Sequence, residues 1–474
     1  MSIETALIIA PHPDDEINLA GQMIVNLRKK NTKVYVLYTT NGDAEYKIQN
    51  KRISEAINAL KVLEVPKENI IFLGYANEWN ADEHIYDAPD NKVLISKLGK
   101  METNAIAGHN EFAVSEYGCH HSFTRSNFKS DFKAAIMKIS ADLIICCEFD
   151  SHPDHRCAAL MFDEILGELF KENNIYRPLV LKKFIHEGVW YGEKDYYDMQ
   201  RTLPSKNKYY SGAAHELDIP SYSWDDRICY LTDKQTRTDC LSDNIIYKAA
   251  KKHKVTTAWY EMQRVINTDM VYWWKPSKNL MFIAKISTSS GNAKYLYDFK
   301  YIDTCNVYES EEPFLQSDKF CWQPKKEDKN PCIIIEFDVP HDVKKICIYE
   351  DCNKKNHICR MDIKIDDIYS TQIEPYDDGK RTVIDLQEKR QVSKITINLV
   401  HWVGNPGISE IEILEDDEEM KEILDIAEQY VENPCVKKKY GVKLKQLIEK
   451  TYMIIKFAFV FKIKYEFDKR VLKK

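Results

Sequence analysis

The chain has 474 residues, of which 44% are hydrophobic and 30% are charged, and its formal net charge is −7. This length predicts two or three domains, and the composition excludes both a disordered chain and a bundle of transmembrane helices. The acidic balance argues against a general nucleic-acid-binding protein, so no nucleic acid is expected as a partner.

The cysteines and the N-terminal segment indicate the cellular compartment of the protein. The thirteen cysteines are odd in number, include the adjacent Cys146 and Cys147, and never form a C-x-x-C pair. This pattern is typical of a reduced cytosolic protein rather than of a disulfide framework. No basic segment precedes the short apolar run that ends at Pro11, so we expect no signal peptide and a cytoplasmic protein.

Up to residue 150, strand-like and helix-like patterns alternate. Short β-branched runs predict strands at 6–10, 33–40, 69–73 and 142–147. Periodic stretches between them predict helices, among them 51–64 and 128–140. The alternation predicts an α/β fold with a Rossmann-like parallel sheet and helices on both faces. In such sheets, ligands bind beyond the carboxyl ends of the strands.

The pattern changes after residue 300. Up to residue 414, short alternating runs such as PCIIIEFDVP and VSKITINLV are separated by Asp, Asn, Gly and Pro, which predicts an antiparallel β-sandwich. The chain then turns helical. We predict three domains: an α/β domain at 1–285, a β-sandwich at 295–415 and a basic amphipathic helical tail at 416–474.

A polar motif follows two of the predicted strands. The stretches ALIIAPHPDDE and DLIICCEFDSHPDH each run from an apolar strand through His-Pro-Asp into a helix. Because the carboxyl ends of parallel strands share one edge, their side chains can converge there: His12, Asp14, Asp15, His152, Asp154 and His155. Acidic residues in a first helical turn also serve as caps, but a cap needs no imidazole. Imidazoles with one carboxylate suit a catalytic zinc ion that keeps a position for water.

These motifs carry a specific resemblance. PHPDDE near the N-terminus, Arg52 and Glu55 in KRISEAINAL, FLGY at 72–75 and HPDH at 152–155 resemble the PIG-L/LmbE-like family of zinc-dependent N-acetylglucosaminyl de-N-acetylases. The resemblance covers the first 280 residues. Pro11 departs from the alanine that the family usually has there.

The resemblance implies roles for the motif residues. It makes Asp14 the general base, His152 the group that stabilises or protonates the tetrahedral intermediate, and Asp154 a residue that orients a histidine. The spacing alone does not decide whether Asp14 or Asp15 coordinates the metal. The ligands of the Zn²⁺ cofactor implied by the family are His12, Asp15 and His155.

Several other residues are candidates for substrate binding, each with a structural alternative. Arg52 contacts a sugar or phosphate, or is an exposed helix arginine. The segment GHNEFAVSEYGCHHSFTR, with His121 and Arg125, forms a substrate rim or is an ordinary surface loop. The run VYWWKP at 271–276 stacks on a sugar or packs the domain boundary. His186 and Glu187 have no predicted role.

The predicted sandwich resembles the galactose-binding or discoidin-like fold through IIIEFDVPHDVKKICIYED and GNPGISEIEIL. The resemblance implies glycan binding through loop aromatics, for which Trp322, Tyr376 and Trp402 are candidates. A packing module without a ligand is the alternative.

The tail differs from the rest of the chain in charge. Residues 436–474 contain thirteen Lys and Arg against three Asp and Glu, a local charge of +10. A basic, aromatic-rich helix suits an anionic membrane surface, so we expect a peripheral contact with the inner membrane face. The alternative is a helix docked on the acidic body of the protein.

The motifs together predict a zinc-dependent hydrolase that removes the N-acetyl group from an N-acetylhexosamine of a glycolipid or glycoconjugate precursor. Two alternatives remain open. One is a catalytically inactive glycan-binding protein, against which the complete motif set counts. The other is an amidase of a thiol conjugate, since its metal site would look the same.

Overall fold

Two β-sheets organise the chain. The computed structural model describes residues 3–43, 49–77, 79, 84–105, 108–148, 152–173, 175–185, 190–192, 202–204, 222, 226–238, 240–255, 266–305, 314–315, 317–353, 355–366, 368–376, 379–430 and 440–471. His186 and Glu187 lie outside the described residues.

The first sheet is mainly parallel. The strands up to residue 274 are β1 (Thr5–Ala10), β2 (Lys33–Thr40), β3 (Ile70–Tyr75), β4 (Leu143–Cys147), β5 (Leu179–Lys183), β6 (Trp190–Gly192), β7 (Thr202–Pro204), β8 (Ile228–Leu231) and β9 (Asp269–Trp274). The sheet has the order β3-β2-β1-β4-β5-β9-β8, while β6 and β7 form a separate hairpin. The first five strands of that order are parallel, whereas β9 pairs antiparallel with β5 and β8 pairs antiparallel with β9 at one edge. Such antiparallel edge strands are common on largely parallel sheets.

Helices cover this sheet in two groups. They are α1 (Asp15–Lys29), α2 (Gln49–Val62), α3 (Phe112–Tyr117), α4 (Arg125–Ile139), α5 (Pro153–Glu172) and α6 (Ile245–Ala250). Helix α6 contacts α1 and α2, whereas α4 contacts α3 and α5. The chain moves outward from β1 through β2 to β3 and then crosses back to β4, so right-handed crossovers place the two groups on opposite faces. The predicted Rossmann-like sheet with helices on both faces is confirmed, and β1 and β4 flank its topological switch point.

The second sheet is antiparallel and sandwich-like, as predicted. Its part of the chain contains β10 (Lys285–Thr288), β11 (Thr304–Cys305), β12 (Phe314–Leu315), α7 (Ser317–Phe320), β13 (Cys332–Glu350), β14 (His357–Ile365), β15 (Tyr369–Ile373), β16 (Arg381–Val403) and β17 (Ile408–Leu414). The first half of β13 pairs with β10, and its second half pairs with β17. Two register shifts, before His341 and before Lys345, separate the halves. Such irregularities bend a strand, so β13 and its partner β16 can each contribute to both layers of the sandwich.

A buried interface joins the two sheets. Trp273 of β9 packs in one apolar cluster with Tyr349 of β13 and Leu414 of β17. The Lys275 ammonium donates to Asp163 of α5 at 2.8 Å and lies over the Tyr301 ring. The run VYWWKP therefore packs the boundary, which is the structural alternative named for it above.

Two helices follow the second sheet. Helix α8 (Glu418–Leu424) returns to the first sheet, where Ile423 joins the core of the α/β part. Helix α9 (Tyr440–Val471) forms the predicted helical tail and contacts the body through Lys445 and Glu449. Its exposed apolar side chains include Leu447, Ile448, Tyr452, Ile455 and Phe459. Among the residues that the structure describes, no helix is long and apolar enough to cross a bilayer.

Candidate metal centre

The two His-Pro-Asp motifs meet at the switch point of the first sheet. His12 follows β1 and His152 follows β4, and the neighbouring strands β1 and β4 are parallel, so both motifs emerge at the same edge. Pro153 occupies the first turn of α5, where its fixed φ suits a helix start. The His152 side chain caps this helix by accepting from the Asp154 backbone N–H at 3.2 Å.

Three ligand atoms converge in the interior. His12 Nδ1 lies 2.9 Å from Asp15 Oδ2, and His155 Nε2 lies 3.2 Å from the same oxygen. The two nitrogens are 3.3 Å apart. Ligands on a tetrahedral zinc ion with bonds of about 2.0–2.1 Å lie about 3.3–3.4 Å from one another. All three residues are buried, so the triangle has the size and the donor set of a protein zinc site.

His152 stands at the edge of this triangle. Its ring packs edge-on against His12 with the centroids 4.5 Å apart, and it stacks on His155 at 4.9 Å. One nitrogen each from His12, His152 and His155 lie within 4.8 Å of one another. The His152 side chain is 23% exposed, which makes it the open side of the centre. Two donor sets, one with Asp15 and one with His152, are therefore geometrically available.

Asp154 lies behind the triangle, and its carboxylate is hydrogen-bonded to two imidazoles. Its Oδ2 is 2.9 Å from His12 Nε2, and its Oδ1 is 2.8 Å from His84 Nε2. Burial raises the pKa of Asp154, but the hydrogen bonds from His12 and His84 outweigh it and hold the pKa well below its usual range. The carboxylate thus stays ionised and orients His12. His84 stands in no recognisable motif, so nothing in the sequence marks it as a residue of this centre.

Asp14 faces a different partner. The Arg52 guanidinium donates to Asp14 Oδ1 at 2.9 Å, and the arginine is 8% exposed, so its interpretation as an exposed helix arginine is wrong. Burial raises the pKa of Asp14, but the positive charges of Arg52, His253 and His12 together outweigh it, so the pKa lies below its ordinary value. Although Asp14 is the N-cap residue of α1, its side chain makes no capping bond. Gly42 has φ +61°, and a Cβ there would lie 2.6 Å from Arg52 Nε. Only a residue without a side chain therefore leaves room for the Arg52 guanidinium.

A second buried pair supports the first turn of α1. Glu16 is fully buried and its Oε1 lies 2.8 Å from Nε2 of His253, a residue 237 positions away. Burial lowers the pKa of His253, but Glu16 and Asp14 raise it above its ordinary value overall. Neither the pairing nor the importance of His253 has a signal in the sequence, since only the fold brings the two residues together.

The remaining substrate candidates of the α/β part have partners away from the centre. His121 Nδ1 lies 2.8 Å from Asp131, whose other oxygen accepts from the Tyr75 hydroxyl. Arg125 donates to Glu164 at 2.6 Å and to the Tyr86 carbonyl at 2.9 Å. The described contacts of His121 and Arg125 therefore belong to the packing of α4 and α5.

In the sandwich, the three aromatic candidates have different environments. Trp322 is fully buried and its indole N–H donates to the Ser290 carbonyl, so its prediction as a glycan contact is wrong. Trp402 packs partly buried against the sandwich core. Tyr376 is 58% exposed and remains available to a ligand.

Comparisons with known proteins agree with this arrangement. The family described as "PIG-L: GlcNAc-PI de-N-acetylase" matches residues 7–166, which include both His-Pro-Asp motifs. No curated protein gives a significant match.

Several solved structures are similar to portions of the chain. A family 32 carbohydrate-binding module from C. perfringens NanJ in complex with galactose is 14% identical, with 27% of this chain and 92% of that chain covered and a TM-score of 0.21. A chitosan-binding module from Paenibacillus sp. IK-5 is 12% identical, with coverages of 29% and 98% and a TM-score of 0.21. The N,N'-diacetylchitobiose deacetylase from Pyrococcus horikoshii is 18% identical, with 37% of this chain and 52% of that chain covered and a TM-score of 0.24.

Proposed function

We propose that this chain, whose residues 7–166 form a PIG-L domain, is a zinc-dependent de-N-acetylase acting on a GlcNAc-type sugar of a glycolipid or glycoconjugate precursor. The observation that carries the proposal is the triangle of ligand atoms, all within 3.3 Å of one another, beside the ionised Asp14. The domain assignment supports the amide of an N-acetylated sugar as the substrate. His12, Asp15 and His155 are the residues that would hold the metal.

The chain's own groups have complementary tasks in such a reaction. A bound zinc ion lowers the pKa of water and polarises the acetyl carbonyl. Asp14 Oδ1 is occupied by Arg52, which leaves Oδ2 to accept the proton of the attacking water. Water adds to the carbonyl carbon, the C–N bond breaks and the amine takes up the proton, giving acetate and a free amino sugar. His152, on the open side, is placed to donate a hydrogen bond to the developing oxyanion or a proton to the departing amine.

Mass spectrometry of purified protein with candidate substrates tests the activity. The set includes GlcNAc-linked phosphatidylinositol, N,N'-diacetylchitobiose, free N-acetylglucosamine and an N-acetylated thiol conjugate. We expect loss of one acetyl group from an amino sugar and none with Asp14→Asn. Deacetylation of the thiol conjugate alone would move the protein to the amidase alternative, and binding without turnover in the zinc-loaded protein would favour the inactive glycan-binding alternative.

We also propose that the tail brings a cytoplasmic enzyme to the inner membrane face. The described part of α9 exposes a broad apolar surface on a basic helix, and each Lys or Arg near an anionic leaflet contributes about 1 kcal/mol. Co-sedimentation with phosphatidylserine vesicles should fall as salt rises and should vanish when residues 436–474 are deleted. No binding, together with a lower melting temperature after the deletion, would mean that the tail only braces the body through Lys445 and Glu449.

A further inference from the structure

His84 is the second imidazole on Asp154, and it comes from a segment remote from both motifs. Its Nε2 lies 2.8 Å from Asp154 Oδ1, opposite the oxygen that faces His12. The Asp154 side chain is 2% exposed, so each of its oxygens depends on a protein donor. His84 supplies one of the two.

This arrangement fixes which nitrogen of His12 can reach a metal. Both ring nitrogens of His12 face a carboxylate, Nδ1 facing Asp15 and Nε2 facing Asp154. Because Nδ1 also faces His155 Nε2, it is the nitrogen on the metal side, and Nε2 keeps the hydrogen that it donates to Asp154. The Nδ1 lone pair is then directed at the triangle with Asp15 and His155. A ligand histidine is commonly oriented in this way by a carboxylate behind it.

The turn that bears His84 is itself tied to α5. The carbonyl of His84 accepts from the backbone N–H groups of Asp87 and Ala88. The Asp87 carboxylate takes two hydrogen bonds from Arg156, at 2.7 and 3.1 Å. Arg156 is the neighbour of His155 on α5 and also binds Asp303, so the turn is held against the helix that carries the ligand.

The tautomer of His84 follows from the same turn. The Tyr86 backbone N–H points at His84 Nδ1, 3.4 Å away, which makes Nδ1 the acceptor. The hydrogen of the ring is then on Nε2, where it is donated to Asp154. The chain of contacts from Tyr86 through His84 and Asp154 to His12 has one consistent set of donors and acceptors.

We propose that His84 is a positioning residue that immobilises Asp154, holds His12 in its metal-binding tautomer and thereby strengthens zinc binding. This role rests on the zinc centre of the proposed function. Loss of such an outer partner typically weakens metal binding by about tenfold to a hundredfold. The effect belongs to the hydrogen bond and not to the volume of the ring.

Zinc affinity, measured by competition with a chromophoric chelator, tests the role on the full-length protein. We expect His84→Leu to bind zinc about tenfold to a hundredfold more weakly than wild type. His84→Gln, whose amide can donate to Asp154, should stay close to wild type. His84→Asn is polar but too short to reach and should resemble His84→Leu, which keeps the comparison available if the leucine variant fails to fold. His357→Leu, which removes a histidine paired with Glu350 in the sandwich, is the matched control and should bind zinc normally.

The outcomes separate this inference from the function it rests on. If wild type binds zinc and His84→Leu and His84→Asn bind it equally well, the role of His84 is refuted and the zinc centre stands. Equal weakening in the leucine, asparagine and glutamine variants would also refute it, because the ring and not the hydrogen bond would matter. A wild-type chain that binds no zinc would overturn the proposed function and this role together. The d–d spectrum of the cobalt-substituted protein should change in His84→Leu and be restored in His84→Gln.

Discussion

The ion pair between Arg52 and Asp14 gives the sharpest test of how the centre is built. Its atoms are 2.9 Å apart and the two side chains are 9% and 14% exposed. At an effective dielectric constant of about 20, this separation corresponds to an attraction of about 6 kcal/mol before desolvation is subtracted. Removing one partner of a buried pair costs about 3–5 kcal/mol, and the partial exposure of Asp14 places Arg52→Leu near 3 kcal/mol.

A double-mutant cycle measures this coupling. We would determine the free energy of unfolding in urea, with EDTA present, for wild type, Arg52→Leu, Asp14→Asn and the double variant. Neutral Asp14→Asn no longer needs the cation, so the double variant should lose about 2 kcal/mol less than the sum of the single losses. Lys133→Leu, which breaks an exposed pair with Glu172, is the control and should lose less than about 1 kcal/mol.

Kinetics of the same variants separate two roles of Arg52. If the arginine acts through Asp14, Arg52→Leu lowers kcat, whereas a pure substrate contact raises KM and leaves kcat unchanged. Additive losses in the cycle, within about 0.5 kcal/mol, together with an unchanged kcat, would refute the assignment of Arg52 as the partner of Asp14.

Three further predictions follow from other parts of the molecule. A chain ending at residue 280 loses the packing of Trp273 against the sandwich and should melt at a lower temperature, while the folded fraction keeps its zinc; an unchanged melting temperature would contradict the interface. Burial raises the pKa of Glu350 to about 7, so the contribution of this carboxyl group to stability is complete below about pH 4.5 and is lost as the pH rises through 7. In urea titrations, the free energy of unfolding of Glu350→Gln relative to wild type should therefore increase by about 2 kcal/mol from pH 5 to pH 8. A difference that stays constant over this range would contradict the shift. His152→Ala should keep zinc and lose about a hundredfold or more in kcat; near-normal turnover would assign the oxyanion or acid role elsewhere.

Much of the fold was predictable because the local patterns and the global arrangement agree. Residues 6–10 of β1 and all residues of β4 are apolar and buried, as in central parallel strands that are covered on both faces. Parallel strands that are neighbours deliver their following residues to one edge, so the meeting of His12 with His152 and His155 followed from the strand pattern. The alternation after residue 300 predicted the antiparallel sheet for the same reason.

Other parts of the site depend on contacts that no local pattern encodes. His84 and His253 reach the centre from loops, and each pairs with a carboxylate 70 or more positions away. The burial of Arg52 required the left-handed turn at Gly42, which opens its path to Asp14. Trp322 was misjudged because an aromatic residue between strands looks the same in sequence whether it faces solvent or the core.

Zinc content of the purified protein and of two variants tests the central claim most directly. Elemental analysis should find about one zinc per chain in wild type, none in Asp15→Ala and about one in His152→Ala, because the triangle of His12, Asp15 and His155 holds the metal while His152 faces the substrate. Full zinc retention in Asp15→Ala, with loss in His152→Ala, would contradict this account and make the three histidines the metal ligands.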